Sequence, residues 1–196
     1  KIYGRIDRVD EYDGLVRVID YKTGNIDSSP AKYYQGVKLQ LPLYLSAAAK
    51  GKRAAGAYYF PASLEYRDAV DGVFRLQGFM DGSDEVVRAS DLTVQPKEKS
   101  GFVDAYYQGR RIESAMSPQD FSDFIEYSRM VADGGAREML GGNVTPSPAE
   151  GVCKYCKAGG SCGAALGKDA AERKVKSVKC SEIARIVRKE KGDETY

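Results

Sequence analysis

Two β-branched runs at the start of the sequence, separated by Asp13-Gly14, constrain the fold more than any other feature. Asp-Gly suits the positive φ angles of a two-residue type I′ turn, so the runs predict a β-hairpin. Counting outward from that turn places Asp7 directly opposite Asp20. Because strand side chains alternate between faces, Asp7, Asp20 and Lys22 are expected on one face of the sheet.

The length of the loop decides whether these side chains meet. A four-residue loop would leave Asp7 and Asp20 diagonal to each other but on the same face. A three-residue loop would place them on opposite faces and remove the site. The Asp-Gly dipeptide favours the two-residue turn.

Two opposed carboxylates and a nearby lysine suit phosphodiester hydrolysis. Asp7 and Asp20 can hold Mg²⁺ between them and leave coordination positions for water and phosphate. The Lys22 ammonium would lie beside the attacking water or the phosphate, and the backbone carbonyl of Tyr21 is a further candidate ligand. The alternative interpretation is a surface ladder in which aspartates and lysines pair across the hairpin.

The composition is that of a soluble globular protein with one sizeable domain and a short appendage, since 42% of its 196 residues are apolar and 30% charged. No apolar run approaches the roughly 20 residues of a membrane span, so no membrane association is expected. The sequence begins inside a predicted strand without an initiating Met, which indicates an N-terminally truncated fragment. It contains no histidine, which excludes histidine-based catalysis within it.

The order of predicted elements, β-β-α-β with further elements, indicates an α/β fold with a mixed central sheet flanked by helices. Ser83 is a candidate cap for the helix that begins at 84, and Ser117 and Pro118 suit the start of the next helix. The predicted elements after the hairpin are a helix over about 33–49, strands over 53–61 and 70–80, and helices over 84–90, from 118 toward 140, and over 181–191.

Gln40 and Tyr44 are spaced i and i+4, so they share one face of the predicted helix. A helix that follows the hairpin could aim both side chains at a DNA phosphate or at a metal-bound water. The alternative is an ordinary helix-surface pair with Tyr44 partly buried.

Three cysteines, Cys153, Cys156 and Cys162, are clustered in a sequence without a secretory signal. This favours metal binding in a reducing cytoplasm over a disulfide framework. Zinc and iron–sulfur clusters both usually take four ligands. Cys180 could complete a local zinc site, or the fourth cysteine could lie upstream of Lys1. Chance enrichment in cysteine is the remaining alternative.

Three of these motifs resemble those of RecB-type nucleases in the PD-(D/E)XK superfamily. Together with the downstream cysteines, they are most similar to the C-terminal nuclease domain of the AddB family of ATP-dependent helicase–nucleases. The motifs are Gly4-Arg5-Ile6-Asp7-Arg8-Val9-Asp10, Ile19-Asp20-Tyr21-Lys22-Thr23-Gly24 and Gln40-Leu41-Pro42-Leu43-Tyr44.

The resemblance implies a restriction-endonuclease-like fold and a Mg²⁺-dependent DNA exonuclease that cuts unwound single strands in double-strand-break repair. It implies a cytoplasmic heterodimer with an AddA-type subunit. Asp7 and Asp20 would be metal ligands and Lys22 the catalytic lysine, while Gln40 and Tyr44 would position DNA or water. The expected segments are a nuclease domain over 1–150, a Cys-rich iron–sulfur segment over 151–165 and a basic C-terminal tail over 166–196; the tail and Cys180 do not match the family pattern.

The resemblance also implies that Cys153, Cys156 and Cys162 are three of the four ligands of a 4Fe–4S cluster, with the fourth far upstream. A CRISPR-associated RecB-type exonuclease shares these motifs, although the insertion between Tyr58 and Pro118 favours the AddB family. The rival from another class is a catalytically silent DNA-binding or scaffolding module. A domain stabilised by zinc is a variant of that rival.

Overall fold

The computed structural model describes residues 3–62, 75–163, 172–174 and 177–192. These residues form a mixed five-stranded sheet with flanking helices, which confirms the predicted fold class. The strands follow one another across the sheet in chain order: β1 (Arg8–Tyr12), β2 (Leu15–Lys22), β3 (Arg53–Pro61), β4 (Gln77–Asp81) and β5 (Ala115–Met116). The helices are α1 (Pro30–Tyr34), α2 (Gln40–Ala48), α3 (Asp84–Ser90), α4 (Pro118–Leu140) and α5 (Cys180–Lys191).

Strand β2, second in the sheet, is buried on both faces. Val16 and Val18 of β2 contact one core cluster, which also includes side chains of α2, α4 and α5. Leu15 and Ile19 of the same strand contact a second cluster, which includes side chains of α3. The apolar run Leu15–Ile19 of β2, interrupted only by Arg17, follows from this position, because β2 pairs with β3 in parallel and both of its faces are covered.

The hairpin has the predicted two-residue turn. Asp13 and Gly14 have φ angles of 48° and 73°, as a type I′ turn requires. The antiparallel pairs run from Tyr12 opposite Leu15 to Arg8 opposite Ile19, which is the register counted from the sequence.

The prediction of a single helix over 33–49 is wrong. The structure has α1 and α2 in its place, and both lie in the crossover that the parallel β2–β3 pair requires. Gly36 has a φ angle of 75°, which right-handed helix does not allow. Pro42 falls in the first turn of α2, where a missing N–H removes no intrahelical bond.

The other predicted elements are confirmed where the structure describes them. The strand over 53–61, the helix over 84–90 and the start of the next helix have the expected bounds. Ser117 Oγ accepts a hydrogen bond from the Asp120 N–H, whereas the Ser83 hydroxyl makes no capping bond and accepts one from Arg53. Residues 70–74 of the expected strand lie outside the described part of the chain; 75 and 76 precede β4, and 77–80 belong to it.

The basic C-terminal helix is docked into the main core. Ile183 and Val187 of α5 are fully buried, and Arg188 donates a hydrogen bond to Asp123 of α4 at 2.7 Å. Cys180 begins the helix and is also buried, and this burial raises the pKa of its thiol. Within the described residues, no helix is long and apolar enough to cross a membrane.

Candidate active site

Asp7 lies one residue before β1, just beyond the last antiparallel pair of the hairpin. Its Oδ2 accepts a hydrogen bond from the backbone N–H of Tyr21 at 3.2 Å. The residue directly after Asp20 therefore donates its backbone hydrogen bond to the Asp7 carboxylate. A backbone carbonyl of the neighbouring strand would otherwise accept this bond. The predicted register brings the two aspartates together, with Asp7 exposed and Asp20 buried.

The backbone carbonyl of Tyr21 points to the β1 side of β2. An extended residue points its N–H and its C=O toward the same neighbouring strand, and the Tyr21 N–H points at Asp7. The carbonyl of the next residue, Lys22, points the other way and accepts a hydrogen bond from Ala62 at 2.8 Å. Because β1 has no paired residue before Arg8, the Tyr21 carbonyl faces an open edge of the hairpin.

Asp20 and Lys22 form an ion pair. Asp20 is only 5% exposed, and the Lys22 Nζ lies 2.6 Å from its Oδ2. Among the described residues this oxygen accepts no well-aligned hydrogen bond, so the ammonium is what compensates its buried charge. The carboxylate in turn raises the pKa of Lys22 above its ordinary value.

Gln40 and Tyr44 form a hydrogen-bonded pair, and Tyr44 contacts the segment that precedes Asp7. The Tyr44 hydroxyl accepts hydrogen bonds from the Gln40 side chain and from the Arg5 backbone N–H, each at 3.2 Å. The ring lies against Gly4, where a Cβ would come within 2.5 Å of Tyr44 Cε1. The glycine of the first motif therefore leaves the room that the tyrosine of the third motif needs. A contact of this pair with DNA or water stays a prediction.

We expect Gly4→Ala to lower phosphodiester cleavage by at least about tenfold with little change in thermal unfolding. The added methyl would displace Tyr44 from the Arg5 N–H and shift Asp7, and small misplacements of reacting groups are costly. The matched control is Gly24→Ala, because a Cβ there meets nothing within 4 Å. Equal cleavage rates for the two variants would contradict this role of Gly4.

Lys38 and Tyr59 were missed by the sequence analysis. The ammonium groups of Lys22 and Lys38 lie 5.5 and 5.7 Å from the centroid of the Tyr59 ring. Tyr59 is opposite Asp20 in the parallel β2–β3 pair, and burial raises the pKa of its hydroxyl. The only signal in the sequence was the position of Lys38 two residues before Gln40, and a contact across the crossover cannot be deduced from that spacing.

The oxygen atoms at the hairpin suit Mg²⁺ better than a softer metal. The Asp7 and Asp20 carboxylates and the Tyr21 carbonyl could hold it, since Mg²⁺ keeps several water ligands and needs few protein ligands. The Tyr21 carbonyl on the β1 side of β2, where Asp7 lies, and the buried charge of Asp20 support this fit. In the described part of the chain no third carboxylate or thiol joins the two aspartates.

The cysteine segment does not form a complete metal site within the described residues. Val152–Tyr155 form a 3₁₀ turn that carries Cys153, and Cys156 is exposed just after it. Neither the three clustered cysteines nor any set that includes Cys180 makes a metal-binding group among the residues described. The three clustered cysteines supply at most three ligands, fewer than the four that a cluster needs.

Comparison with known protein families settles what kind of chain this is. A family model described as the PD-(D/E)XK nuclease superfamily matches residues 1–163. The chain belongs to the PD-(D/E)XK nuclease superfamily. Its mixed sheet with flanking helices is consistent with the restriction-endonuclease-like fold of that superfamily, whose members generally use divalent metals such as Mg²⁺. The hairpin, α2 and the three clustered cysteines lie inside the matched range, and α5 lies beyond it.

Several curated relatives within this superfamily are described as subunits of an ATP-dependent helicase/deoxyribonuclease, of the AddB type. The relative from Symbiobacterium thermophilum is 30% identical over 78% of the chain, and the one from Bacillus subtilis is 28% identical over 80%. The relative from Clostridioides difficile is 25% identical over 98% of the chain. The chain spans 16% to 19% of the length of these three relatives.

Proposed function

We propose that this chain is the nuclease domain of an AddAB-type helicase–nuclease. In this proposal it hydrolyses phosphodiester bonds of unwound single-stranded DNA with Mg²⁺ during double-strand-break repair in the cytoplasm. Membership of the nuclease superfamily and the names of the relatives support the proposal. The observation that carries it is the ion pair between buried Asp20 and half-buried Lys22, beside the Asp7 carboxylate at the open edge of the hairpin.

Each of the proposed catalytic residues has a separate task. Asp7, Asp20 and the Tyr21 carbonyl would hold the metal ion. Mg²⁺ supplies a polarised phosphoryl oxygen and a bound water of lowered pKa. Asp20 fixes the Lys22 ammonium 2.6 Å from its own Oδ2, close to where the phosphate would bind.

Lys22 stabilises negative charge in this mechanism and does not remove a proton. Its pKa is raised by Asp20, so the ammonium stays protonated at neutral pH. A fixed positive charge of this kind lowers the energy of the transition state, in which negative charge spreads over the phosphoryl oxygens. Lys38, on the same tyrosine ring, adds a second positive charge to the surroundings of Asp20.

Two further parts of the proposal concern the rest of the complex. Cys153, Cys156 and Cys162 would be three ligands of a 4Fe–4S cluster whose fourth cysteine lies elsewhere in the parent protein. An AddA-type helicase–nuclease subunit would be the protein partner and DNA the substrate. The division into segments 1–150, 151–165 and 166–196 also stays a prediction, and α5 packs against α4 of the first segment.

The test is a cleavage assay with the natural full-length polypeptide that contains this chain. We expect end-labelled single-stranded DNA to be degraded in Mg²⁺, to be protected by a chelator, and to be degraded again after Mg²⁺ is restored. These results follow if oxygen ligands alone hold an exchangeable metal. Degradation that is insensitive to the chelator, or none in excess Mg²⁺, would contradict the proposal and favour a silent DNA-binding module.

A further inference from the structure

A cavity of about 350 Å³ opens at the same end of the sheet as the active site. Asp20 of β2 is opposite Tyr59 of β3, which is opposite Gln77 at the start of β4. Directly opposed residues point to the same face, so these three form a row across it. With about 4.8 Å between strands, Gln77 lies about 10 Å from Asp20. The next two residues of β4 line the cavity.

The wall of the cavity nearest the active site is formed by the chain that follows β2. Ser28 and Pro30, which also line the cavity, lie in the segment that leads from Lys22 into α1. Asp20 and Tyr59 are buried, so a strand of nucleic acid that leaves the hairpin for this cavity would follow the rim of the sheet, on which Gln77 is exposed. Stacked nucleotides rise about 3.4 Å each, so about three stacked nucleotides, or fewer extended ones, span the separation.

The far wall is a tyrosine covered by an arginine. The Arg110 guanidinium carbon lies 5.0 Å from the centroid of the Tyr106 ring, and its Nη2 donates a hydrogen bond to the Tyr106 hydroxyl at 3.0 Å. The loop between them is fixed, because the Gln108 N–H donates to Asp84 at 2.9 Å. Its glycine, Gly109, has Tyr106 Cβ within 2.8 Å of where a Cβ would be.

The charged side chains around the cavity are two bases, Lys99 and Arg110, and two acids, Asp104 and Glu113. Asp104 is neutralised by Lys99 at 2.6 Å and accepts a hydrogen bond from Ser114. Glu113 is exposed, accepts one from the backbone N–H of Cys180 and keeps its negative charge. Arg110, in contrast, has no carboxylate within ion-pair distance among the residues that the structure describes, and it is exposed. Its guanidinium is therefore available to a ligand.

We propose that this cavity is a binding subsite for one nucleotide of a single-stranded nucleic acid, with Arg110 and Tyr106 as its stacking platform. An arginine over an aromatic ring offers a flat surface for a base and a charge for the adjoining phosphate. The cavity is at the small end of ligand pockets, which suits one nucleotide and not a duplex. The inference rests on the proposed function, because the active site supplies the reason for a strand to pass there.

The test measures binding of fluorescent oligothymidylates in the presence of a chelator, so that it does not depend on cleavage. We expect Arg110→Gln to weaken binding of a hexanucleotide about tenfold and to leave a dinucleotide unaffected, because only the longer chain reaches both sites. Tyr106→Phe keeps the ring and should bind the hexanucleotide within about twofold of wild type. The matched control is Arg137→Gln, which removes the same charge from the exposed end of α4.

The outcomes separate the subsite from the nuclease activity. Equal losses for Arg110→Gln and Arg137→Gln, or a loss that is the same for both oligonucleotides, would overturn the subsite. A selective loss of hexanucleotide binding would support the subsite even if the wild-type protein failed to cleave DNA in Mg²⁺. In that case the proposed function alone would be overturned.

Discussion

Asp20→Asn is expected to reduce Mg²⁺-dependent cleavage of single-stranded DNA by about a thousandfold or more. The amide has the shape of the carboxylate but lacks its charge, so it would bind the metal weakly and leave Lys22 without its anion. Loss of one such electrostatic contribution commonly costs a factor of about a hundred to a thousand, and here two are lost together. Cleavage rates and Mg²⁺ affinity, measured on the full-length polypeptide, should both fall.

The matched control for this variant is Asp13→Asn in the same hairpin. Asp13 is exposed in the turn at the opposite end of the two strands, and asparagine tolerates its positive φ angle. The control should therefore retain cleavage within about twofold of wild type. If Asp20→Asn behaved like Asp13→Asn, Asp20 could not be a metal ligand, and the proposed function would lose the observation that carries it.

Lys22→Ala is expected to lower cleavage by a factor of about a hundred to a thousand while Mg²⁺ binding is largely retained. The substitution removes a cation from the site but leaves both aspartates and the Tyr21 carbonyl in place. Lys50→Ala, which removes an exposed ammonium just after α2, should cleave DNA at the wild-type rate. If Lys22→Ala retained cleavage, Lys22 would not be a catalytic residue. If the variant lost Mg²⁺ binding, the role of Lys22 would be limited to holding Asp20 in position.

The pH dependence distinguishes an electrostatic lysine from a general base. The folded-state pKa of Lys22 is raised above the ordinary value of 10.5, so the ion pair stabilises the fold fully below that value. Its contribution is lost only as the pH rises through the raised pKa. Cleavage should therefore show no dependence on Lys22 ionisation between about pH 6 and pH 9. A rate that rose across this range with the deprotonation of Lys22 would indicate a general base instead.

The hairpin could be predicted from the sequence because its determinants are local. The Asp13-Gly14 turn fixes the loop length, and the loop length fixes which residues of β1 and β2 face each other. Because successive side chains of a strand alternate between its two faces, Asp20 and Lys22 then lie on the same face. These inferences needed no contact between distant segments.

The crossover could not be predicted in the same way. Apolar residues continue through the sequence from α1 into α2, and the break at Gly36 depends on a left-handed conformation that composition does not reveal. The hydrogen bond from Arg5 to Tyr44 joins residues that are 39 positions apart. The spacing of Gln40 and Tyr44 indicated a shared face, but the backbone that this face contacts became known only from the packed structure.

The order of elements along the chain has a consequence for how such nucleases can diverge. Every group assigned to the reaction lies in the continuous stretch 4–59, which contains β1, β2, α1 and α2 and most of β3. The later segment that carries Tyr106 and Arg110 covers the other face of the sheet and reaches the active-site end only at its rim. Its Val103 and Ala105 pack in one core cluster with Leu15 and Ile19 of β2, but its exposed residues, Arg110 among them, can change without moving the two aspartates. Preference for one nucleic acid over another can therefore change separately from the chemistry.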